Sequence, residues 1–146
     1  MNLSPHFTLR ELTRTSTGLA NEPKPSQVAA LTSLCLHVLE PIRALLGVPL
    51  RITSGYRAPA VNAAIGGAKA SQHMLGEAVD FAPVGMDVET AMARIAAARI
   101  PVDQVIVYPR GGFLHVSYAA QRVNRGELLR SAASGGSGGP YSRWTP

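Results

Sequence analysis

The chain has one cysteine, Cys35, and nothing that resembles a secretory leader at residues 1–5. A single thiol cannot form an internal disulfide, so the stability of the fold does not depend on an oxidising compartment. Because Cys35 lies in an apolar stretch, we predict a buried structural thiol. Residues 1–5 lack the basic start and apolar core of a signal peptide, so we expect synthesis in the cytoplasm.

Long apolar runs and basic runs are also missing. No apolar run approaches the ~20 residues that a helix needs to span a bilayer, so no membrane span is expected. No Lys/Arg run or basic–aromatic stripe is visible, and we expect no nucleic-acid partner, although the net charge of +5 would suit an acidic polymer. A hydrophobic share of 46% against 16% charged residues predicts a compact, monomeric globule rather than a disordered chain.

One short stretch carries most of the chemical information. His73 and Asp80 lie seven residues apart, a spacing that matches neither a helical i,i+4 pair nor an HExxH box. They converge only if the chain bends between them, and Gly76 supplies the freedom for that bend. Asp80 interrupts an apolar run, where a carboxylate without a partner is expensive to bury. With His115 downstream, two nitrogens and one oxygen form the ligand set that a catalytic Zn²⁺ prefers.

The spacing of apolar residues, and the positions of capping residues, glycines and prolines, predict an α+β fold with helices packed on a small, mainly antiparallel sheet. Thr8 is predicted to cap the first helix with Glu11 completing a capping box, and Ser26 to cap the longest helix, which Pro41 would kink or break. Alternation in the last strand places His115 on one face, and a turn joins it to the preceding strand as a hairpin. The predicted helices cover residues 8–15, 26–46, 59–65 and 86–99, and the strands cover 50–53, 102–108 and 113–118.

The amino-acid composition changes near the carboxyl-terminal end of the chain. We predict a folded domain over residues 1–130 and a Gly/Ser-rich tail over residues 131–146. Two alternatives remain open for the tail: a flexible end, or a last strand packed through Tyr141 and Trp144. Composition favours flexibility near the glycines.

Three segments together carry a resemblance to a known family. They are Ser54-Gly55-Tyr56-Arg57-Ala58-Pro59, then Ser71-x-His73-x-x-Gly76-x-Ala78-x-Asp80, then His115-Val116-Ser117. In this order they resemble the zinc peptidases that include D-Ala-D-Ala carboxypeptidases, peptidoglycan-cleaving phage endolysins and the hedgehog signalling domain. The resemblance runs from about Phe7 to Arg125, and residues 6–12 are similar to the start of members of the peptidoglycan-directed branch.

The resemblance implies specific roles. His73, Asp80 and His115 would bind zinc, Arg57 would hold substrate or an oxyanion, and Ser71 would lie beside the substrate. The implied substrates are peptidoglycan stem peptides, cleaved by a carboxypeptidase or endopeptidase. Because no leader is visible, action at the cell wall would require phage-type release or association with a virion.

The general base departs from the family pattern. Carboxypeptidases of this family carry an acid three residues before the last histidine, and Gly112 occupies that place here. Tyr108 ends the preceding strand, and we predict that its hydroxyl orients water or donates to an oxyanion. Glu77 is interpreted as a solvated residue and Asp103 as a cap or turn acid. The missing acid favours an alternative function, a non-catalytic zinc-stabilised module that binds cell wall or serves in a phage structure.

Overall fold

The computed structural model describes residues 1–135 and 138–146. The strands are β1 (Asn2–Ser4), β2 (Phe7–Thr8), β3 (Leu50–Ser54), β4 (Ala78–Pro83), β5 (Gln104–Tyr108), β6 (Phe113–Ser117), β7 (Glu127–Ser131) and β8 (Tyr141–Arg143). The helices are α1 (Leu9–Leu12), α2 (Pro25–Leu34), α3 (Glu40–Leu46), α4 (Pro59–Ala64) and α5 (Val88–Ala98), with a π-helical segment at Cys35–Leu39 and a 3-10 turn at Gln72–Leu75.

One six-stranded sheet organises the domain, in the order β3-β4-β6-β5-β7-β8. Its neighbouring strands are antiparallel except for the parallel pair β5 and β7. The predicted α+β class with a mainly antiparallel sheet is therefore confirmed. All six residues of β4 are buried, because helices cover one face of the sheet and the 3-10 turn and neighbouring loops cover the other.

The longest helical segment begins one residue earlier than predicted. Ser26 is not its cap: the helix starts at Pro25, whose fixed φ suits a first turn, and the Lys24 amide donates to the Gln27 side chain at 2.8 Å. Pro41 does not break the segment. The π-helical turns directly before it widen the helix where a proline ring would otherwise crowd the carbonyl of His37.

This segment supplies much of the core. By length and composition, Pro25–Leu46 is the one described helix that could cross a membrane, with 22 residues and a mean hydropathy of 1.4. A search for unbroken apolar runs does not find this helix, because polar residues interrupt its apolar stretch. Such a helix is weak evidence for a span, since the core helix of a soluble protein has the same composition. Here its buried face contributes Leu31, Leu34, Val38 and Ile42 to the hydrophobic core.

Cys35, His6 and His37 have structural roles in this region, as predicted. Cys35 is buried, and that burial raises the pKa of its thiol to about 12, so it is not a nucleophile. His6 contacts a Glu40 carboxylate oxygen at 2.8 Å through Nδ1, and His37 stacks on Tyr118. The predicted capping box of Thr8 and Glu11 is confirmed.

The end of the chain returns to the sheet. β7 crosses the predicted division at residue 130, and β8 pairs with it as the edge strand. Of the two alternatives for the tail, the structure shows the last strand, with Trp144 packed against the core. The predicted flexibility concerned residues 134–139, of which Gly136 and Ser137 lie outside the described residues. The division of the chain into 1–130 and 131–146 stays a prediction.

Candidate metal centre

Two ligand candidates lie opposite each other in the middle of the sheet. Asp80 on β4 and His115 on β6 are direct cross-strand partners, and Ser54 on β3 pairs with Asp80 from the other side. Opposed residues of antiparallel strands present their side chains on the same face. The neighbouring positions of β6, Leu114 and Val116, point into the apolar core. Alternation thus fixes His115 on the face away from the core, as the sequence predicts.

The third candidate, His73, reaches this face from the 3-10 turn. The Ser71 hydroxyl caps the turn by accepting a hydrogen bond from the His73 amide at 3.2 Å. Gly76 ends the turn with φ +73°, a left-handed conformation that side chains disfavour. A Cβ there would lie 2.6 Å from the carbonyl oxygen of Gln27, so the backbones also approach too closely for any other residue. The bend predicted at Gly76 is therefore confirmed.

A backbone contact fixes the tautomer of His73. Its Nδ1 lies 2.8 Å from the carbonyl oxygen of Gly55, which can only accept, so Nδ1 carries the proton and donates. The lone pair is then on Nε2, which lies 3.3 Å from Oδ1 of Asp80. A histidine held in this way through one nitrogen is typical of metal ligands, because it fixes the orientation of the ring.

The three candidate ligand atoms converge. His73 Nε2, Asp80 Oδ1 and one ring nitrogen of His115 all lie within 4.8 Å of one another, and His115 Nδ1 is 2.9 Å from Asp80 Oδ1. Ligands at about 2.0–2.2 Å from a tetrahedral Zn²⁺ lie roughly 3.3 Å apart, so this donor set fits zinc with little adjustment. Among the residues that the structure describes, no other group of three His, Cys, Asp or Glu residues gathers in this way.

The electrostatics of the cluster keep Asp80 and His73 in their ligand forms. Burial alone would raise the pKa of Asp80, but the adjacent His73 and the hydrogen bond from His115 Nδ1 outweigh burial and hold that pKa well below its usual range. Burial lowers the pKa of His73, and the carboxylate of Asp80 offsets this only in part. The result is an ionised carboxylate beside a neutral imidazole, as metal binding requires.

Arg57 contacts the cluster from the loop after β3. Its guanidinium donates to Asp80 Oδ2 at 3.4 Å, to the Ser54 hydroxyl at 3.0 Å and to the Asn62 side-chain oxygen at 3.4 Å. Burial lowers its pKa and the charge of Asp80 counteracts this, yet a guanidinium stays protonated. The structure thus places Arg57 against the carboxylate of Asp80 as well as beside the substrate space that the resemblance implies.

The cluster opens into a cavity of about 620 Å³. The cavity wall includes Arg57 and Ser71 as well as the three candidate ligands, so the site residues expected from the sequence lie together. Asp80 is the one carboxylate in this wall within residues 1–135 and 138–146. The wall is completed by Gly66, Gly67, Ala68, Ala70, Gln72, Gln104, Ile106, Tyr108, Arg122, Arg125, Gly138 and Tyr141.

Tyr108 lies in this wall as a protonated phenol. Its side chain is only 5% exposed, and its ring stacks on Phe113 with the centroids 4.4 Å apart. Burial, and then the hydrogen bond with Tyr141, raise the pKa of its hydroxyl above the ordinary value. A phenol with a raised pKa is a poor proton acceptor at neutral pH, but it remains a hydrogen-bond donor.

Glu77 and Asp103, which do not line the cavity, are both held by arginines. The interpretation of Glu77 as a solvated residue is wrong: its side chain is 13% exposed, lies 3.1 Å from Arg122 and accepts from Gln72. Asp103 is fully buried and accepts from Arg125 through both side-chain oxygens and from the Arg125 amide, which lowers its pKa to about 2. Asp103 was predicted to be a cap or turn acid, but it instead joins two segments 22 residues apart through its ion pair with Arg125.

Two residues of the site were missed from the sequence. Asn62 accepts from Arg57 and donates to the carbonyl of Ala68 at 2.9 Å, which joins the Arg57 loop to the loop before Ser71. Tyr141 comes from β8, in the segment whose composition indicated a tail. No spacing in the sequence connects Asn62 to the metal cluster, whereas the aromatic residues 141 and 144 after a glycine-rich stretch were a signal for a final strand.

Comparison with known proteins agrees with this geometry. No curated protein matches the chain significantly. The sequence profile of the family described as Peptidase M15 matches residues 5–117, which is most of the chain and includes all three candidate ligands. M15 peptidases are zinc-dependent, and the His73–Asp80–His115 cluster can bind such an ion. The match over most of the chain and the donor set within it show that this protein belongs to the M15 peptidase family.

Proposed function

We propose that this protein is a zinc-dependent peptidase that cleaves peptide bonds in bacterial peptidoglycan, in the stem peptides or their cross-bridges. The observation that carries the proposal is the buried His73–Asp80–His115 donor set, which opens into a cavity beside Arg57 in a chain of the M15 family. We propose either carboxypeptidase or endopeptidase action. The net charge of +5 supports attraction to a polyanionic wall.

The chain's own residues would prepare the site. His73 and His115 would bind the ion through one ring nitrogen each and Asp80 through a carboxylate oxygen. When bound, the ion supplies Lewis-acid chemistry and activates water. The Gly55 carbonyl holds the tautomer of His73, and Arg57 donates a hydrogen bond to the Asp80 carboxylate. Arg57 also has donors in reach of the cavity, where they would stabilise negative charge on the reacting carbonyl oxygen.

Tyr108 would act as a donor. Its raised pKa keeps the hydroxyl protonated across neutral pH, so it would orient water or donate to a developing oxyanion. Ser71 caps the turn that carries His73 and lies in the cavity wall, and we propose that it also contacts substrate.

A second candidate function is favoured by one observation. Apart from Asp80, no carboxylate lines the cavity within the described part of the chain, so a conventional acidic proton acceptor is missing there. A zinc-stabilised module that binds cell wall without cleaving it, or serves in a phage structure, would need no such group. Release of amino groups from peptidoglycan distinguishes the enzyme from both binders.

The route to the cell wall is part of the proposal. We propose cytoplasmic synthesis followed by phage-type release or transport in a virion. Fractionation of a lysing culture and of purified particles would test it, because each route places the protein in a different fraction.

The substrate class can be tested by a paired digestion. Zinc-loaded protein is expected to release soluble fragments from purified sacculi and to leave casein essentially intact, because the proposed site recognises stem peptides. Mass spectrometry of the fragments would identify the cleaved bond and separate carboxypeptidase from endopeptidase action. Efficient cleavage of casein with intact sacculi would contradict the assignment.

The role of Tyr108 can be tested by removing its hydroxyl. Tyr108→Phe is expected to lower turnover about ten-fold or more, a loss of roughly 1.4 kcal/mol in transition-state stabilisation. Zinc content should not change, since Tyr108 is not a candidate ligand. Glu77→Gln is expected to have a smaller effect, because Glu77 is not part of the cavity wall and is paired with Arg122. Loss of activity in Glu77→Gln with full activity in Tyr108→Phe would show that the roles are assigned wrongly.

A further inference from the structure

The segment beyond the family match completes the wall of the candidate site. The match ends at residue 117, yet four residues after it line the same cavity as the candidate ligands: Arg122, Arg125, Gly138 and Tyr141. Arg122 and Arg125 are both engaged with acids, Glu77 and Asp103. Tyr141 is different, because its side chain is 48% exposed and faces the site through its hydroxyl.

The position of Tyr141 is fixed by the sheet. β8 pairs antiparallel with β7, and Tyr141 lies opposite Ser131 in that register. After the end of β8 the Trp144 amide donates to the Leu128 carbonyl at 3.0 Å, and Trp144 packs against the core. Before its start the Ser131 hydroxyl donates to the Gly138 carbonyl. Contacts at both ends of β8 therefore hold Tyr141 at the cavity.

The hydroxyl of Tyr141 forms a pair with that of Tyr108. The two oxygens lie 3.2 Å apart, and the rings meet edge to face with centroids 6.5 Å apart. Each phenol has one hydrogen to donate, and the pair uses one of them internally. Whichever phenol donates to the other, one O–H remains for a ligand in the cavity. Tyr108 is nearly buried, so Tyr141 is the more accessible member of this hydroxyl pair.

We propose that Tyr141 is a substrate-positioning residue of this site, supplied by the strand beyond the family match. With Tyr108 it forms a hydroxyl pair that donates to a carbonyl oxygen of the bound peptide, and its half-exposed ring forms a wall against which the peptide lies. This inference rests on the proposed peptidase function. It adds a role for β8 that residues 5–117 do not contain.

The test is a double-mutant cycle on a soluble stem peptide that the wild-type protein cleaves. Tyr141→Phe is expected to lower kcat by about three- to ten-fold and to leave KM unchanged, because the ring wall stays. In the double variant with Tyr108→Phe, kcat should stay within about two-fold of Tyr108→Phe alone, since both hydroxyls serve one donor function. Tyr141→Ala should also raise KM several-fold, because the wall is lost.

A direct binding measurement accompanies the kinetics. Calorimetric titration of the zinc-loaded protein with the same stem peptide, under conditions in which turnover is stopped by low temperature, should give a Kd at least about five-fold weaker for Tyr141→Ala than for the wild type. Tyr118→Phe is the matched control, because Tyr118 stacks on His37 and is not part of the cavity wall. Zinc content and Tm should match the wild type in Tyr141→Phe.

If the wild-type protein cleaves the stem peptide, two results would overturn the inference. One is a wild-type kcat in Tyr141→Phe. The other is a fold-loss of kcat in the double variant equal to the product of the fold-losses in the two single variants. If the wild type does not cleave any stem peptide, the proposed function fails on its own. The calorimetric comparison then decides the role of Tyr141, and an unchanged Kd in Tyr141→Ala rejects it.

Discussion

Replacing His73, Asp80 and His115 together by alanine is expected to abolish zinc binding and lower hydrolysis by at least about a thousand-fold. The wild type, purified without chelator, should hold about one Zn²⁺ per chain. The reason is geometric: the three donor atoms converge within 4.8 Å on one face of the sheet. Elemental analysis of both proteins is the measurement. His37→Ala is the matched control, because this histidine stacks on Tyr118 away from the cluster and should leave zinc content unchanged.

Removal of the metal should also destabilise the wild type. Without the ion, two imidazoles and a carboxylate remain clustered in a buried site, and the binding free energy no longer supports the fold. Thermal unfolding with and without a chelator should therefore show a lower Tm for the chelated wild type. The triple variant should show no such difference. Stoichiometric zinc retained by the triple variant would reject these residues as the ligands.

Arg57→Ala is expected to lower both stability and turnover. The substitution removes the cation beside the buried carboxylate of Asp80 and leaves Ser54 and Asn62 without their donor. Breaking a buried ion pair is costly. For this pair, in which Arg57 Nη2 lies 3.4 Å from Asp80 Oδ2, we expect the free energy of unfolding to fall by about 2–4 kcal/mol, measured by denaturant unfolding of the zinc-free protein. Turnover should fall by at least about a hundred-fold, because donors near the reacting carbonyl oxygen are lost.

Two further variants distinguish a site role from general destabilisation. Arg57→Lys keeps the charge but lacks the planar guanidinium whose three nitrogens each contact a different partner, so stability should recover in part while turnover stays at least about ten-fold low. Arg130→Ala breaks an exposed pair with Glu89 and should change stability by no more than ~1 kcal/mol and activity not at all. Wild-type stability and turnover in Arg57→Ala would contradict the role given to this residue.

Local signals in the sequence predicted the parts of the site that depend on short-range geometry. Gly76 was identified because only a flexible residue lets His73 and Asp80 converge, and the structure places it at φ +73°. Alternation predicted the face of His115, because β6 buries its apolar positions on the opposite side. The class of the fold followed from the same two periodicities, 3.6 for helices and 2 for strands.

Contacts between distant segments could not be predicted in this way. Glu77 was interpreted as solvated, but its partner Arg122 lies 45 residues downstream on a loop whose path the sequence does not specify. The start of the long helix was misassigned because Ser26 is a good cap residue by type, whereas Pro25 fixes the first turn. Tyr141 reaches the site only because β8 pairs with β7; the aromatic residues 141 and 144 indicated a possible last strand, but no pattern identified its partner strand.

We propose that peptidoglycan cleavage by this protein depends on an ion held by His73, Asp80 and His115. Measuring the amino groups released from purified sacculi, while metal-free protein is titrated with Zn²⁺, tests this dependence. We expect no release without the ion, a rise with added zinc that saturates at about one equivalent per chain, and no release at any zinc level by the triple alanine variant. Release that persists after chelation, or its absence in the zinc-loaded wild type, would contradict it.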